Sequence, residues 1–179
     1  MEEMRSKEII IIAGPSASGK SYLMRKLTTK KKNKFKQEIY RELAIDHRRS
    51  KSSISIGALN NLDKKPEHLK KLSKKIIFIH FDLTSRNQDR KRELLLKIAK
   101  NCKTVKVLTI KTPFEIWHKR MRYRDQELRT AVPKNNATAI YRNSLFNPLF
   151  AKWQYDAVYR QWARFSKNLE AENYLLIKN

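Results

Sequence analysis

The chain has 179 residues and carries 41 Lys+Arg against 17 Asp+Glu, a formal charge of +24. That length suits a single domain over 1–179 with a full core, and Cys102, the single cysteine, with four scattered histidines excludes a disulfide-stapled or zinc-stabilised fold and points to a reducing compartment. The longest apolar runs, residues 9–13 and 76–81, fall far short of the roughly 20 residues that span a bilayer, and Met1 to Lys7 lacks the apolar stretch of a signal peptide, so a cytoplasmic protein without a membrane partner is expected.

Glu8-Ile9-Ile10-Ile11-Ile12-Ala13 reads as a buried parallel strand. It leads into Gly14-Pro15-Ser16-Ala17-Ser18-Gly19-Lys20-Ser21, a complete G-x-x-x-x-G-K-[ST] phosphate-binding loop. The glycines let the backbone turn so that consecutive N–H groups point at phosphate oxygens. An amphipathic helix over 20–29 follows, so strand, loop and helix come in the order the motif requires. For this composition the motif arises by chance about once in a thousand chains.

Further helices are predicted at 36–45, 66–73, 87–100 and 113–130, with long helical stretches between 138 and 170. Strands are predicted at 53–56, 75–81, 105–110 and 174–177, the first of them weak and bounded by Gly57. Alternating buried strands and helices imply a three-layer α/β fold, with a parallel sheet of about five strands covered on both faces. Lys30-Lys31-Lys32-Asn33-Lys34-Phe35-Lys36 reads as a solvated loop. Lysine spread along the whole chain beside abundant Asn and Ile is also what base-composition bias would produce, so nucleic acid is a possible partner rather than the favoured one. Tyr155, Val158, Tyr159 and Trp162, with Phe165 a turn on, share a helical face that reads as core against the sheet; a nucleic-acid stacking platform that includes Trp153 is the alternative.

Lys20 is expected to reach the β- and γ-phosphates of a nucleotide and Ser21 to ligate Mg²⁺. Asp82 directly follows a buried strand, at the sheet edge that carries the loop, and is expected to support Mg²⁺ through water; capping the turn before Leu83-Thr84-Ser85 is its alternative role. His80 alternates with apolar residues and reads as a buried histidine with its hydrogen bonds satisfied, not as a base. Pro113 suits the first turn of a helix on which Arg120 and Arg124 lie four residues apart. Two guanidiniums on one face can clamp a transferring phosphoryl group, and a solvated basic helix is the alternative. In Ala44-Ile45-Asp46-His47-Arg48-Arg49-Ser50, Asp46 could orient or deprotonate an acceptor hydroxyl while Arg48 or Arg49 binds an anion; equally, these residues could cap and flank a helix end.

With the loop, Asp82 and the run V-x-V-L-T-I-K-T-P-F-E-I-W-H-K-R-M-R-Y-R, the chain resembles the small P-loop kinases of the nucleoside-monophosphate and metabolite kinase group. The resemblance implies a P-loop NTPase fold, ATP or GTP with Mg²⁺, and a helical lid over about 112–136 in which Arg120 and Arg124 contact the phosphates, with Arg129 as a secondary candidate for the same role. Guanylate kinases share the Gly-Pro-Ser opening, but their aromatic and acidic guanine-binding pattern does not occur between residues 30 and 75. The chain's end at Asn179, immediately after the last strand, also departs from the many relatives in which a terminal helix completes the sheet.

The function expected is ATP-dependent phosphoryl transfer to a small hydroxylated or phosphorylated acceptor. The alternatives are a kinase acting on polynucleotide ends or another nucleic-acid-dependent NTPase, a non-enzymatic nucleotide-gated binding module, and sulfuryl transfer from an activated nucleotide.

Overall fold

The computed structural model describes residues 7–29, 33–56, 74–127 and 136–178. Five strands form one parallel sheet: β1 (Glu8–Gly14), β2 (Lys51–Ser55), β3 (Ile76–Asp82), β4 (Thr104–Lys111) and β5 (Asn173–Lys178), in the order β2-β3-β1-β4-β5. Each expected strand is found, with ends shifted by one or two residues. The helices are α1 (Lys20–Thr28), α2 (Lys34–Glu42), α3 (Gln88–Lys100), α4 (Phe114–Glu127), α5 (Asn136–Phe146) and α6 (Pro148–Ser166). The helix expected at 66–73, Gly57, Arg129 and the stretch 128–135 of the expected lid lie outside the described residues.

β1 is buried along its whole length because it is central and covered on both faces. Its alternating side chains divide the core. Ile10 and Ile12 pack with Leu23, Met24 and Leu27 of α1 and Ile39 and Tyr40 of α2. Ile9, Ile11 and Ala13 join the opposite core, with Leu95 of α3, Trp117 and Met121 of α4, and Tyr155, Tyr159 and Trp162 of α6. The aromatic stripe is therefore core, with Trp162 stacked on Phe81 at 5.1 Å between ring centroids. Trp153 is the exception, at 59% exposure.

Local capping explains two helix starts. Asn33 accepts from the Lys36 amide to open α2, so the basic cluster that reads as a loop is helical from Lys34. Lys36 is buried and its ammonium donates to the Thr29 carbonyl. Asn147 accepts from the Phe150 amide, and Pro148 occupies the first turn of α6.

The connections out of β1 and β3 run over opposite faces: α1 and α2 cover one face and α3 the other. β1 therefore lies where the winding reverses, and the crevice at the carboxyl ends of β1 and β3 is where such sheets bind ligands. At the opposite edge, Lys106 Nζ donates to Glu8 Oε1 at 2.7 Å and to the Ala44 carbonyl at 2.7 Å, while Arg49 Nη1 donates to Glu8 Oε2 at 3.0 Å.

Candidate functional site

The loop leaves β1 at Gly14 and enters α1 at Lys20. A Cβ on Gly14 would lie 2.5 Å from Ser18 Oγ and 3.2 Å from the Ile110 carbonyl oxygen, so the loop closes on its own first residue only because that residue is glycine. Gly19 sits at φ 94° and Ala17 at φ 64°. Left-handed residues alternating with ordinary ones turn successive amides to one side and form an anion-binding concavity. Gly19 provides no side-chain cap for α1, and the helix has no acidic residue in its first turn, so its positive end faces the loop uncompensated.

Lys20 is 4% exposed, and its ammonium donates back to the Pro15 carbonyl. Burial lowers its pKa to about 8; the Asp82 carboxylate opposes that shift and the Arg124 guanidinium adds to it. Asp82 is the register partner of Gly14, at the carboxyl end of the strand beside β1. Its Oδ1 accepts from the Thr84 amide at 2.9 Å and the Thr84 hydroxyl at 2.7 Å. Asp82 thus both caps the turn and stands within the field of Lys20. Ser21 is exposed on the first turn of α1.

The loop is braced by Thr84 and Trp117, which sequence reasoning did not single out, and the neighbouring end of β4 by Tyr155 and Tyr159. Ser16 N donates to Thr84 Oγ1 at 3.0 Å, so Thr84 relays the Asp82 turn to the loop. Trp117 Nε1 donates to the Ser16 carbonyl at 2.8 Å. Tyr155 and Tyr159 hold the end of β4 by donating to the carbonyls of Thr112 at 2.7 Å and Ile110 at 3.0 Å. Burial pushes both phenols up, so they stay neutral donors. A threonine two residues after an aspartate at a strand end is a local signal for the Asp82–Thr84 turn; nothing local marks Trp117 as more than core.

Arg124 reaches the loop, donating from Nη1 to Ser16 Oγ at 3.0 Å. Arg120, half-buried one turn earlier, is near enough for its charge to act weakly on the Tyr155 hydroxyl. The two arginines lie one turn apart on the same helix.

Asp46 is not brought to the site. It lies just before β2, whose first residue is in register with Ile76 and through it with Glu8, at the amino edge of the sheet. β1 separates that edge from the loop by roughly 20 Å. Asp46 Oδ1 accepts from the Arg48 amide at 2.8 Å, and Arg49 is engaged by Glu8. These residues cap a turn and close an ion-pair network instead of lining an acceptor pocket. The expectation for His80 also needs correcting: among the described residues its Nε2 is buried without a hydrogen-bond partner. Burial, with Lys20 adding and Asp82 opposing, lowers its pKa to about 4, so the ring is neutral.

A cavity of about 1100 Å³ lies between α6 and the edge of the sheet, over Trp162, Tyr174 and Leu176, and includes none of residues 14–21. Thr112, one of its lining residues, touches the loop by donating from Oγ1 to the Ser18 carbonyl at 3.5 Å. Among the described residues no three His, Cys, Asp or Glu side chains gather into a metal cluster. A magnesium ion held mainly by phosphate and water needs only one or two protein oxygens, however, and Ser21 Oγ with the Asp82 carboxylate matches that donor set.

Neither a comparison with protein-family models nor one with curated proteins finds a match to this chain.

Proposed function

We propose that the chain is a P-loop phosphotransferase, which binds ATP or GTP with Mg²⁺ at Gly14–Ser21 and transfers the γ-phosphoryl group to a small hydroxylated or phosphorylated acceptor. The observation that carries this reading is the convergence on one loop of the buried Lys20 ammonium, the uncapped start of α1 and the Asp82 carboxylate. The left-handed Ala17 and Gly19 shape amide donors for the phosphate chain, and Lys20 supplies the balancing charge. Ser21 and Asp82 would hold the metal, which neutralises charge on the β- and γ-oxygens. Arg124, which donates to Ser16 Oγ in the loop, would stabilise charge on the transferred group, with Arg120 one turn earlier on the same helix as the second lid cation. In-line transfer needs positioning and charge neutralisation more than covalent chemistry, so these groups suffice.

The test is transfer from γ-labelled ATP with Mg²⁺ to a panel of nucleosides, nucleotides, sugars, sugar phosphates and short oligonucleotides, with Lys20→Ala as the control. Label reaching a small acceptor, and lost in the control at unchanged circular dichroism, supports the reading. Label confined to oligonucleotides assigns a polynucleotide-end kinase. Tight ATP binding without transfer leaves a nucleotide-gated binding module or a different transferred group.

A further inference from the structure

The cavity between α6 and the sheet edge has an apolar floor and a charged mouth. Val107, Thr109 and Lys111 of β4 stand in register with Tyr174, Leu176 and Lys178 of β5, and all six line it. Three hydrogen bonds hold α6 along this strip. The Tyr174 hydroxyl donates to the Ser166 carbonyl at 2.8 Å, Trp162 Nε1 to Thr109 Oγ1 at 2.9 Å and the Tyr159 hydroxyl to the Ile110 carbonyl at 3.0 Å. These bonds use the donors of Trp162, Tyr159 and Tyr174, so the three residues present mainly ring to the cavity. It runs from the Tyr174–Ser166 bond to the Lys111 and Lys178 end of the two strands, a length of roughly 13 Å at the rise of a β-strand.

At that end two neighbouring strands finish in like charges. Lys111 and Lys178 are register partners, about 5 Å apart at their backbones, and both are exposed. Like charges so placed repel each other, and an anion held between them turns the repulsion into attraction. Among the described residues neither ammonium has a carboxylate within ion-pair distance. Of the seven charged residues around the cavity five are cations, and Lys152 is ion-paired with Asp156 at 3.8 Å, which leaves Glu115 as the other acid.

We propose that this cavity binds a small amphiphilic anion, whose apolar body lies over Thr109, Leu176 and Trp162 and whose one anionic head group is held between Lys111 and Lys178. Each half of the site selects one half of the ligand. A bare anion would leave Tyr174 and Leu176, 52% and 51% exposed, in water, and a neutral apolar molecule would leave the two ammoniums facing each other. A polyanion would meet Glu115 and Asp156 on the same rim. The volume of about 1100 Å³ is that of a site for a molecule, not for a single ion. None of residues 14–21 lines the cavity, so the proposal does not rest on the phosphotransferase reading.

The probe is decanoate, with decanol as the same chain without the charge and acetate as the charge without the chain. Calorimetric titration should show saturable binding of decanoate to one site, with decanol and acetate each weaker by about tenfold or more, and decanoate should raise the Tm. Lys111→Gln with Lys178→Gln, both exposed and so compatible with the fold, should lower the affinity for decanoate by about tenfold or more and leave that for decanol unchanged. Leu176→Asp, at a half-exposed position, should abolish decanoate binding. Absence of saturable decanoate binding overturns the proposal, as does decanol binding as tightly as decanoate or a double glutamine variant that binds decanoate like the parent. Competitive displacement of decanoate by ATP overturns it by assigning the two lysines to the nucleotide, whereas decanoate binding that survives saturating ATP and the Lys20→Ala substitution supports a site of its own.

Discussion

The indole of Trp117 donates to the main-chain carbonyl of Ser16 at 2.8 Å, joining a helix of the outer layer to the loop after β1 across 101 positions of sequence. Trp117→Phe keeps most of the buried ring and removes only the donor, leaving the Ser16 carbonyl unpaired in a dry setting. The expected loss is about 1–3 kcal/mol in stability. Since the carbonyl belongs to the loop itself, the proposed function implies that affinity for ATP falls as well, by roughly tenfold for each 1.4 kcal/mol transferred to the site. Urea denaturation and nucleotide titration on the same variant measure both.

Gly14→Ala sets a methyl group 2.5 Å from Ser18 Oγ and 3.2 Å from a β4 carbonyl. Ser18 can rotate but the carbonyl cannot, so the loop must shift. A destabilisation of about 1–3 kcal/mol is expected, with nucleotide binding lost out of proportion. Adding Ser18→Ala should recover part of the stability, which thermal unfolding of the single and double variants would reveal.

Lys20 holds a buried ammonium whose pKa falls from 10.5 to about 8. Below pH 8 both folded and unfolded chains carry this proton, so the full penalty for burying it acts on the fold. Between about 8 and 10.5 the folded protein has released the proton and the unfolded chain still holds it, so more protons bind the unfolded state and stability rises with pH. Lys20→Met removes this dependence. The variant should be more stable than the parent at pH 7, by at most about 3 kcal/mol, and the advantage should shrink as pH climbs through that window. Denaturation at a series of pH values, read as a difference between the two proteins, cancels the other titrating lysines.

Glu8 and Lys106 form a 2.7 Å ion pair in which both side chains are about 5% exposed. Glu8→Ala leaves the Lys106 ammonium buried and orphans Arg49, a change worth about 3–5 kcal/mol and a Tm drop of roughly 10 °C for a chain of this size. Lys106→Met in the same molecule should restore much of the loss. A thermal-melt double-mutant cycle tests this, and a Glu8→Ala protein that melts with the parent would show that the network contributes nothing.

The parallel sheet and its flanking helices were legible from periodicity alone, because β1 and β3 are buried on both faces and read as unbroken apolar runs. The loop was legible for a related reason: its geometry demands glycine at Gly14 and Gly19 in a chain that has only three glycines. Asp82 could be placed because it ends a strand, and strand ends set which edge a side chain leaves from. Between its two sequence readings Asp46 could not be decided, because its distance from the loop depends on strand order and register, which local sequence does not carry.

What the amino-acid order determined by itself is the local chemistry: which segments are strands and helices, where the backbone can cradle an anion, and which charges flank it. The fold decided everything that depends on distance. It brought Arg124 to Ser16, made Trp117 and Thr84 the braces of the loop, left His80 Nε2 without a partner among the described residues, and turned Leu145, Phe146, Leu149 and Trp153 outward. The physical reason is that periodicity assigns a side chain to a face, whereas its neighbours on that face come from elements far away in the chain, and packing alone selects them.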